Sequence, residues 1–431
     1  MGVWNREWMR VGVLASLVGW LGILPACAVN RHVLTRQELE CRRAEYLERA
    51  ASDRTAAIEK IVRRMRREQE EYALGIGPEP VFDVLIISGG GDKGAFAAGF
   101  LAGWNTVEGE LARPKFDVVT GVSTGALIAP FAFTGDVLND ARILKIYQEP
   151  QSDWNKLRDW FFFLPGRESF FDPAGIKRDI SRQLNNPILL GMARGAAEDR
   201  LLAIGTTNLD LGLPQTWDLT EEAVKALATK KPDRVHEILR ASAAIPAMFP
   251  PVVIDDALHV DGGTTSNILI IDDLRAEDTP RHILRELYPD MPIPRLRYWV
   301  IINNRINPEP KVIQPTWVSI TLSSVDTMIR SSEMTTLRQF AEQIEFIKLT
   351  EPDVRVELRW VAIPDSWRPL AEGIFQEANM RSLAEIGLMM GTNPGSWRTD
   401  LARIGPTQVE TPPLCVPTPP RPVGDPFGTQ Q

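Results

Sequence analysis

Residues 81–100 read VFDVLIISGGGDKGAFAAGF, and residues 116–129 read FDVVTGVSTGALIA. Val84, Leu85, Ile86 and Ile87 form an apolar run that stops at Gly89, Gly90 and Gly91, the pattern of a buried strand. The small and apolar residues that follow Gly94, from Ala95 to Leu101, predict a tightly packed helix. The same order then repeats. Phe116 to Thr120 predicts a second strand, Gly121 to Gly125 a tight turn, and the apolar residues beyond it a second helix. Two strand–turn–helix units in succession predict a parallel α/β sheet.

The second turn reads G-x-S-x-G, as Gly121-Val122-Ser123-Thr124-Gly125. Between a strand and a helix this is the spacing of a nucleophile elbow. Glycines two residues either side relieve crowding, and the Ser123 hydroxyl stands above the sheet at the positive end of the next helix. Ser123 is thus either a nucleophile or a plain helix cap. The glycine-rich first turn supplies a matching part, because closely approaching backbone N–H groups can hold an oxyanion. Gly89, Gly91 and Gly94 also satisfy G-x-G-x-x-G. A dinucleotide site would need an acid at the end of the next strand. Thr120-Gly121 stands there instead. No G-K-[ST] follows the loop, which excludes a P-loop.

The chain has 431 residues, 44% of them hydrophobic, with a formal charge of −8. That is room for one large domain with extensions or for two domains. The acidic balance argues against nucleic acid as a partner. Arg6 and Arg10 precede an uncharged apolar stretch over residues 11–24, about the length of a signal-peptide core and short for a membrane span. The stretch ends in Leu24-Pro25-Ala26-Cys27. This resembles a bacterial lipoprotein signal, which implies removal of residues 1–26 and lipidation of Cys27. Cys27 would then tie the protein to a membrane surface of the cell envelope, and Ala28 after it points by analogy to outer-membrane sorting. The two other cysteines, Cys41 and Cys415, either pair or stay free.

Residues 35–72 are dense in Arg and Glu, with Leu39, Leu47, Ile58, Ile61 and Met65 near helical spacing. They predict one or two amphipathic helices. The basic Arg63, Arg64, Arg66 and Arg67 either meet anionic headgroups or pair with neighbouring glutamates. Gly75, Gly77, Pro78 and Pro80 predict a hinge, so that residues 27–80 precede a core over residues 81–275. Trp154, the aromatic run 160–164, Phe170 and Phe171 suit either core packing or the lining of an acyl-chain pocket. Beyond these, residues 200–207 and 298–303 predict strands, residues 317–349 long helices, residues 354–363 a further strand and residues 376–390 a helix. Residues 276–404 are expected to complete the catalytic domain. Eight prolines from Pro406 onward leave residues 405–431 as an extended tail.

One more block carries chemistry. Residues 238–267 read ILRASAAIPAMFPPVVIDDALHVDGGTTSN. Short strands flank Asp255-Asp256, and Asp261 stands where a strand gives way to Gly262 and Gly263. That is the carboxyl edge on which open α/β sheets build sites.

Together these segments resemble the patatin-like phospholipase family. Its glycine loop G-G-G-x-[KR]-G, its G-x-S-x-G and its D-G-[AG] are matched by residues 89–94, 121–125 and 261–263, in that order. The resemblance covers roughly residues 81–269. It implies a three-layer α/β/α fold with a largely parallel central sheet, and a lipid or phospholipid substrate. It also implies a Ser–Asp dyad, with Ser123 the nucleophile and Asp261 the base. Gly89, Gly90 and Gly91 would form the oxyanion hole. Lys93, Gly94, Gly121, Gly125, Gly262 and Gly263 would support the motifs. The chemistry implied requires no metal or cofactor.

Two alternatives stand beside this. An α/β-hydrolase triad in the order Ser, Asp, His would be Ser123, Asp261 and His282. A non-catalytic envelope lipoprotein would bind lipid without turning it over. Of the four histidines, His259 lies two residues from Asp261 on the same strand.

Overall fold

The computed structural model describes residues 34–154, 156, 169, 171–271, 274, 278–308 and 310–400. The expectations for residues 1–26, Cys27, Cys415, the aromatic residues 160–164, Phe170 and the proline-rich tail lie outside the described residues.

The apolar runs form strands β1 (Val81–Ile87), β2 (Val118–Val122), β3 (Leu201–Asn208), β4 (Leu213–Asp218), β5 (Val252–Ile254), β6 (Ala257–Asp261), β7 (Arg295–Ile302) and β8 (Val356–Ala362) of one sheet. β1 lies at its centre and pairs in parallel with β2 and β7. β3 continues the parallel order beyond β2, as β8 does beyond β7. Because both faces are covered, successive residues go to different cores. Leu85, Ile87, Trp299 and Ile301 face one core, while Val84, Ile86, Tyr298 and Val300 face the other.

The first face is covered by α2 (Ala95–Trp104), α3 (Thr124–Thr134), α4 (Val137–Gln148), α5 (Ala174–Gln183), α6 (Asn186–Ala197), α7 (Leu219–Thr229), α8 (Asp233–Ser242) and α11 (Glu377–Gly391). The second is covered by α1 (Arg36–Ala73), α9 (Pro280–Leu287) and α10 (Trp317–Thr350). The fold is therefore a three-layer α/β/α sandwich around a mixed, mostly parallel sheet.

The N-terminal segment is one helix, not two. Thr35 and Glu38 form a reciprocal capping box at its start, which satisfies two otherwise orphaned donors. Its second half buries Ile58, Ile61, Val62 and Met65 against the sheet. The basic run is paired: Arg64 with Asp117 and Glu68, Arg66 with Glu70, and Arg63 and Arg67 with Asp199. Cys41 is an exposed free thiol on this helix.

The register of β3 positions the site. β4 pairs along one side of it, from Ala203 to Asn208. The other side is shared end to end. β2 pairs with it in parallel up to Val122 opposite Gly205, and β6 pairs antiparallel from Asp261 opposite Thr206. Consecutive positions of one strand therefore bring the last residue of β2 and the last residue of β6 together. Ser123 follows Val122, so it meets Asp261 at the carboxyl edge of the sheet.

Candidate active site

Ser123 joins β2 to α3 with φ 55° and ψ −126°, a left-handed conformation that costs a non-glycine residue about 1–3 kcal/mol. Its surroundings hold it there. The Ser123 N–H donates to Ser242 Oγ (3.0 Å), and that hydroxyl donates to Gly205 O (2.6 Å). Gly125 is required by close approach, since a Cβ there would lie 2.3 Å from Ile87 O. Ser123 is 4% exposed.

Asp261 is buried. Its N–H donates to Ala244 O (2.9 Å), and its Oδ1 accepts the Gly263 N–H (2.7 Å). Oδ2 is buried and accepts no hydrogen bond of ordinary geometry, although the Ser123 hydroxyl stands near enough to favour the ionised carboxylate. One oxygen thus stays open as a proton acceptor beside the serine. Burial pushes the Asp261 carboxyl up to about 7, against the weaker opposing effects of Ser123 and Gly263.

The glycine loop passes beside the serine: a Cβ on Gly89 would lie 3.0 Å from Ser123 Cβ. The structure corrects the part expected of Gly89, whose N–H donates to Asn267 O (3.1 Å). A donor already committed to a carbonyl cannot serve an oxyanion. Among the described residues no acceptor takes the N–H of Gly90 or Gly91, and Gly91 lines the cleft with Ser123.

Lys93 is tied to the residues that follow β7. Its Nζ donates to Asn304 Oδ1 (2.8 Å), and Asn304 Nδ2 donates to Oε2 of the fully buried Glu333 (2.7 Å). Burial pushes the Glu333 carboxyl up. Asn303 binds the strand end beneath the loop, donating from its N–H to Ser88 Oγ (2.9 Å) and from Nδ2 to Ser88 O (2.8 Å). Ser242, Asn267, Asn303, Asn304 and Glu333 are thus supporting residues that the motifs do not contain. For Asn303 and Asn304 a signal exists: they follow the apolar run of β7, at the same sheet edge as Ser123.

Among the described residues, no histidine hydrogen-bonds Ser123 or Asp261. His282 Nδ1 meets Thr279 Oγ1 (3.1 Å), and its Nε2 lies 3.9 Å from Glu351, just past the end of α10. Ile329, on the same helix, is the residue that approaches Gly263. The two places are ~30 Å apart along α10, so the Ser123–Asp261–His282 triad does not form. His259 is buried, bonds Thr206 Oγ1 (3.1 Å) and packs on Trp217. Burial pushes its pKa down to about 4.

From Ser123 a cleft partly open to solvent runs into the first helical layer. Leu127, Phe131, Ile143, Ile180, Trp154 and Phe249 are among its walls. Trp154 lines this cleft and packs in the first core as well, while Phe171 packs against Phe249.

Residues 85–274 match the sequence model of the family described as patatin-like phospholipase. The chain carries a patatin-like phospholipase domain. It is also 28% identical over 195 residues to the "cGAMP-activated phospholipase" of Pseudomonas aeruginosa (strain BWHPSA011 / Pa011). That match covers 44% of this chain and 54% of the relative, so the chain spans about half the length of the curated relative it matches. The patatin-like match takes in the end of β1, the glycine loop, the elbow and Asp261, and stops short of β7, β8, α10 and α11. Among the described residues no helix is long and apolar enough to cross a membrane.

Proposed function

We propose that the protein is a lipid acyl hydrolase working through a Ser123–Asp261 dyad. The observation that carries this reading is the open Oδ2 of a buried Asp261 beside a strained Ser123, at the mouth of an apolar cleft. A serine hydroxyl is a poor nucleophile until a base takes its proton, and a carboxyl near 7 accepts that proton far more readily than one near 3.8.

Asp261 takes the proton as Ser123 Oγ adds to the ester carbonyl. The carbonyl electrons move onto oxygen, where the Gly90 and Gly91 N–H groups receive them. Loss of one such donor typically costs about 2.7–4 kcal/mol of transition-state stabilisation. Collapse breaks the bond to the alcohol, or to the lysophospholipid, which leaves with the proton from Asp261. Water then gives a proton to Asp261 and attacks the acyl-Ser123, and the second collapse frees the fatty acid and restores the hydroxyl. The cleft receives the acyl chain.

Export and attachment to a membrane of the bacterial envelope through Cys27 belong to the same reading, supported by the sequence of residues 1–27. The cGAMP activation in the relative's name is not carried over, because the match spans 54% of that protein.

Hydrolysis of p-nitrophenyl esters and a fluorogenic phospholipid by wild type, Ser123→Ala and Asp261→Asn tests the dyad. Turnover by wild type with both variants at least a thousand-fold slower is expected. Full activity in either folded variant would remove that residue from the chemistry. His282→Ala is expected to retain activity.

A further inference from the structure

The loop between β8 and α11 reaches the cleft from outside the family-matched residues, and it brings one aromatic ring. Phe375 lines the cleft together with Gly91 and Ser123. Its ring packs edge-on between Trp154 (centroids 6.1 Å apart) and Phe249 (6.2 Å), so three aromatic rings close one side of the cleft. Phe375 has φ 54°, a conformation that L residues with bulky side chains avoid. Such strain persists only where the surroundings enforce it.

The enforcing contact is with the glycine loop. The Phe375 N–H donates to Asp92 Oδ2 (2.9 Å). Asp92 is the residue after Gly91 and the one before Lys93. The backbone of Phe375 is therefore fastened to the residue next to Gly91, and its ring lines the same cleft as Gly91 and Ser123. A ring held there opposes the first carbons of an acyl group. A straight chain runs along this aromatic wall, whereas a substituent on the carbon next to the carbonyl meets the Phe375 edge.

We infer that Phe375 is a specificity-determining residue that restricts the cleft to acyl groups unbranched beside the carbonyl, and that Asp92 is the positioning residue that holds it. The inference rests on the acyl-hydrolase reading for the identity of the ligand, but its test does not depend on turnover. Glycine-loop and elbow motifs say nothing of it, because Phe375 is remote from both in sequence.

The experiment compares two isomeric acyl groups, octanoyl and 2-ethylhexanoyl, which differ in branching and not in carbon number. The kcat/KM ratio of their p-nitrophenyl esters is measured for wild type, Phe375→Ala, Phe375→Leu, Asp92→Ala and Asp92→Asn. In parallel, calorimetry gives the Kd ratio of the two free acids on Ser123→Ala and on Ser123→Ala combined with each change. One methylene in an apolar pocket is worth roughly 10–200-fold. Phe375→Ala is therefore expected to move the ratio at least tenfold towards the branched group, and Phe375→Leu to move it part of the way. Asp92→Ala is expected to relax the ratio with the ring still present, whereas Asp92→Asn, which keeps an acceptor, holds it near wild type. A wall that acted only in folding would lower both esters alike and leave the ratio fixed, and that result in folded Phe375 variants overturns the inference. If wild type hydrolyses neither ester, the acyl-hydrolase reading fails by itself, and the Kd ratios alone decide the role of Phe375.

Discussion

Asp261 carries two opposed demands in one side chain. As a base it must be ionised, yet burial pushes its carboxyl up to about 7 from 3.8. The folded state therefore holds the proton more tightly than the unfolded chain does. Stability contributed by this group is full below pH 3.8, declines as pH rises towards 7, and levels off above that. Replacing the ionisable group should remove the cost. Asp261→Asn is expected to be more stable than wild type at pH 8, by an amount on the order of 4 kcal/mol, and the advantage should shrink to nothing near pH 4. Urea melts at several pH values measure this. Activity follows the opposite limb, with kcat/KM of wild type rising about tenfold per pH unit below 7 and flat above it. A variant less stable than wild type at pH 8 would mean that Asp261 is ionised without strain. The serine and aspartate are legible in the sequence because each stands where a strand gives way to a glycine-marked turn. The role of Gly89 is not, because three glycines in a row look alike, and the Asn267 carbonyl that claims one amide is far along the chain.

At the scale of elements, α1 shows what amphipathic spacing can and cannot tell. The apolar positions Ile58, Ile61 and Met65 read as a buried face, and they are one. The arginines on the same helix read as partners of neighbouring glutamates, with a membrane-facing patch as the alternative. Their partners decide the matter: Glu68 and Glu70 on the same helix, and Asp117 and Asp199 far along the chain. Arg64 Nε donates to Asp117 Oδ1 (2.8 Å), while Asp117 Oδ2 accepts the Asp83 N–H (2.8 Å) and Asp83 in turn pairs with Arg297. Asp117 is 2% exposed, so removing Arg64 leaves a buried carboxylate without its cation. Arg64→Ala is expected to cost about 3–5 kcal/mol in urea unfolding. Burial already holds the Asp117 carboxyl above its ordinary range, so the loss should shrink as pH falls from 8 and the orphaned group becomes easier to protonate. Arg64→Leu combined with Asp117→Asn removes both charges and should recover most of the stability. If the double variant is as unstable as Arg64→Ala, packing of the arginine stem, and not charge, is what α1 contributes there.

The family match ends before the last third of the fold, but the molecule does not divide there. α2 leads directly out of the glycine loop, and α11 leads out of the loop that carries Phe375. The two helices meet backbone to backbone through glycines on both sides. A Cβ on Gly387 would lie 2.1 Å from Phe96 O, and one on Gly99 would lie 2.0 Å from Ala384 O. Such spacing leaves no room for the smallest side chain. The sequence shows a helix over residues 376–390, yet not that its partner is α2, since glycines inside a helix read locally as weakness. Gly387→Ala separates the two effects. Helix propensity alone would favour alanine by about 1 kcal/mol. Overlap with the Phe96 carbonyl should outweigh it and give a net destabilisation of about 1–3 kcal/mol. Forcing the helices apart also moves the start of α2 relative to the Phe375 loop, across the contact between Asp92 and Phe375. Discrimination between straight and branched acyl groups should therefore weaken in the same variant. Gly77→Ala is the control: the nearest atom to a Cβ there is 3.9 Å away, and its effect should stay within about 0.5 kcal/mol. Thermal melts of both variants settle the sign, and a Gly387→Ala protein more stable than wild type would show that the two helices can separate without cost.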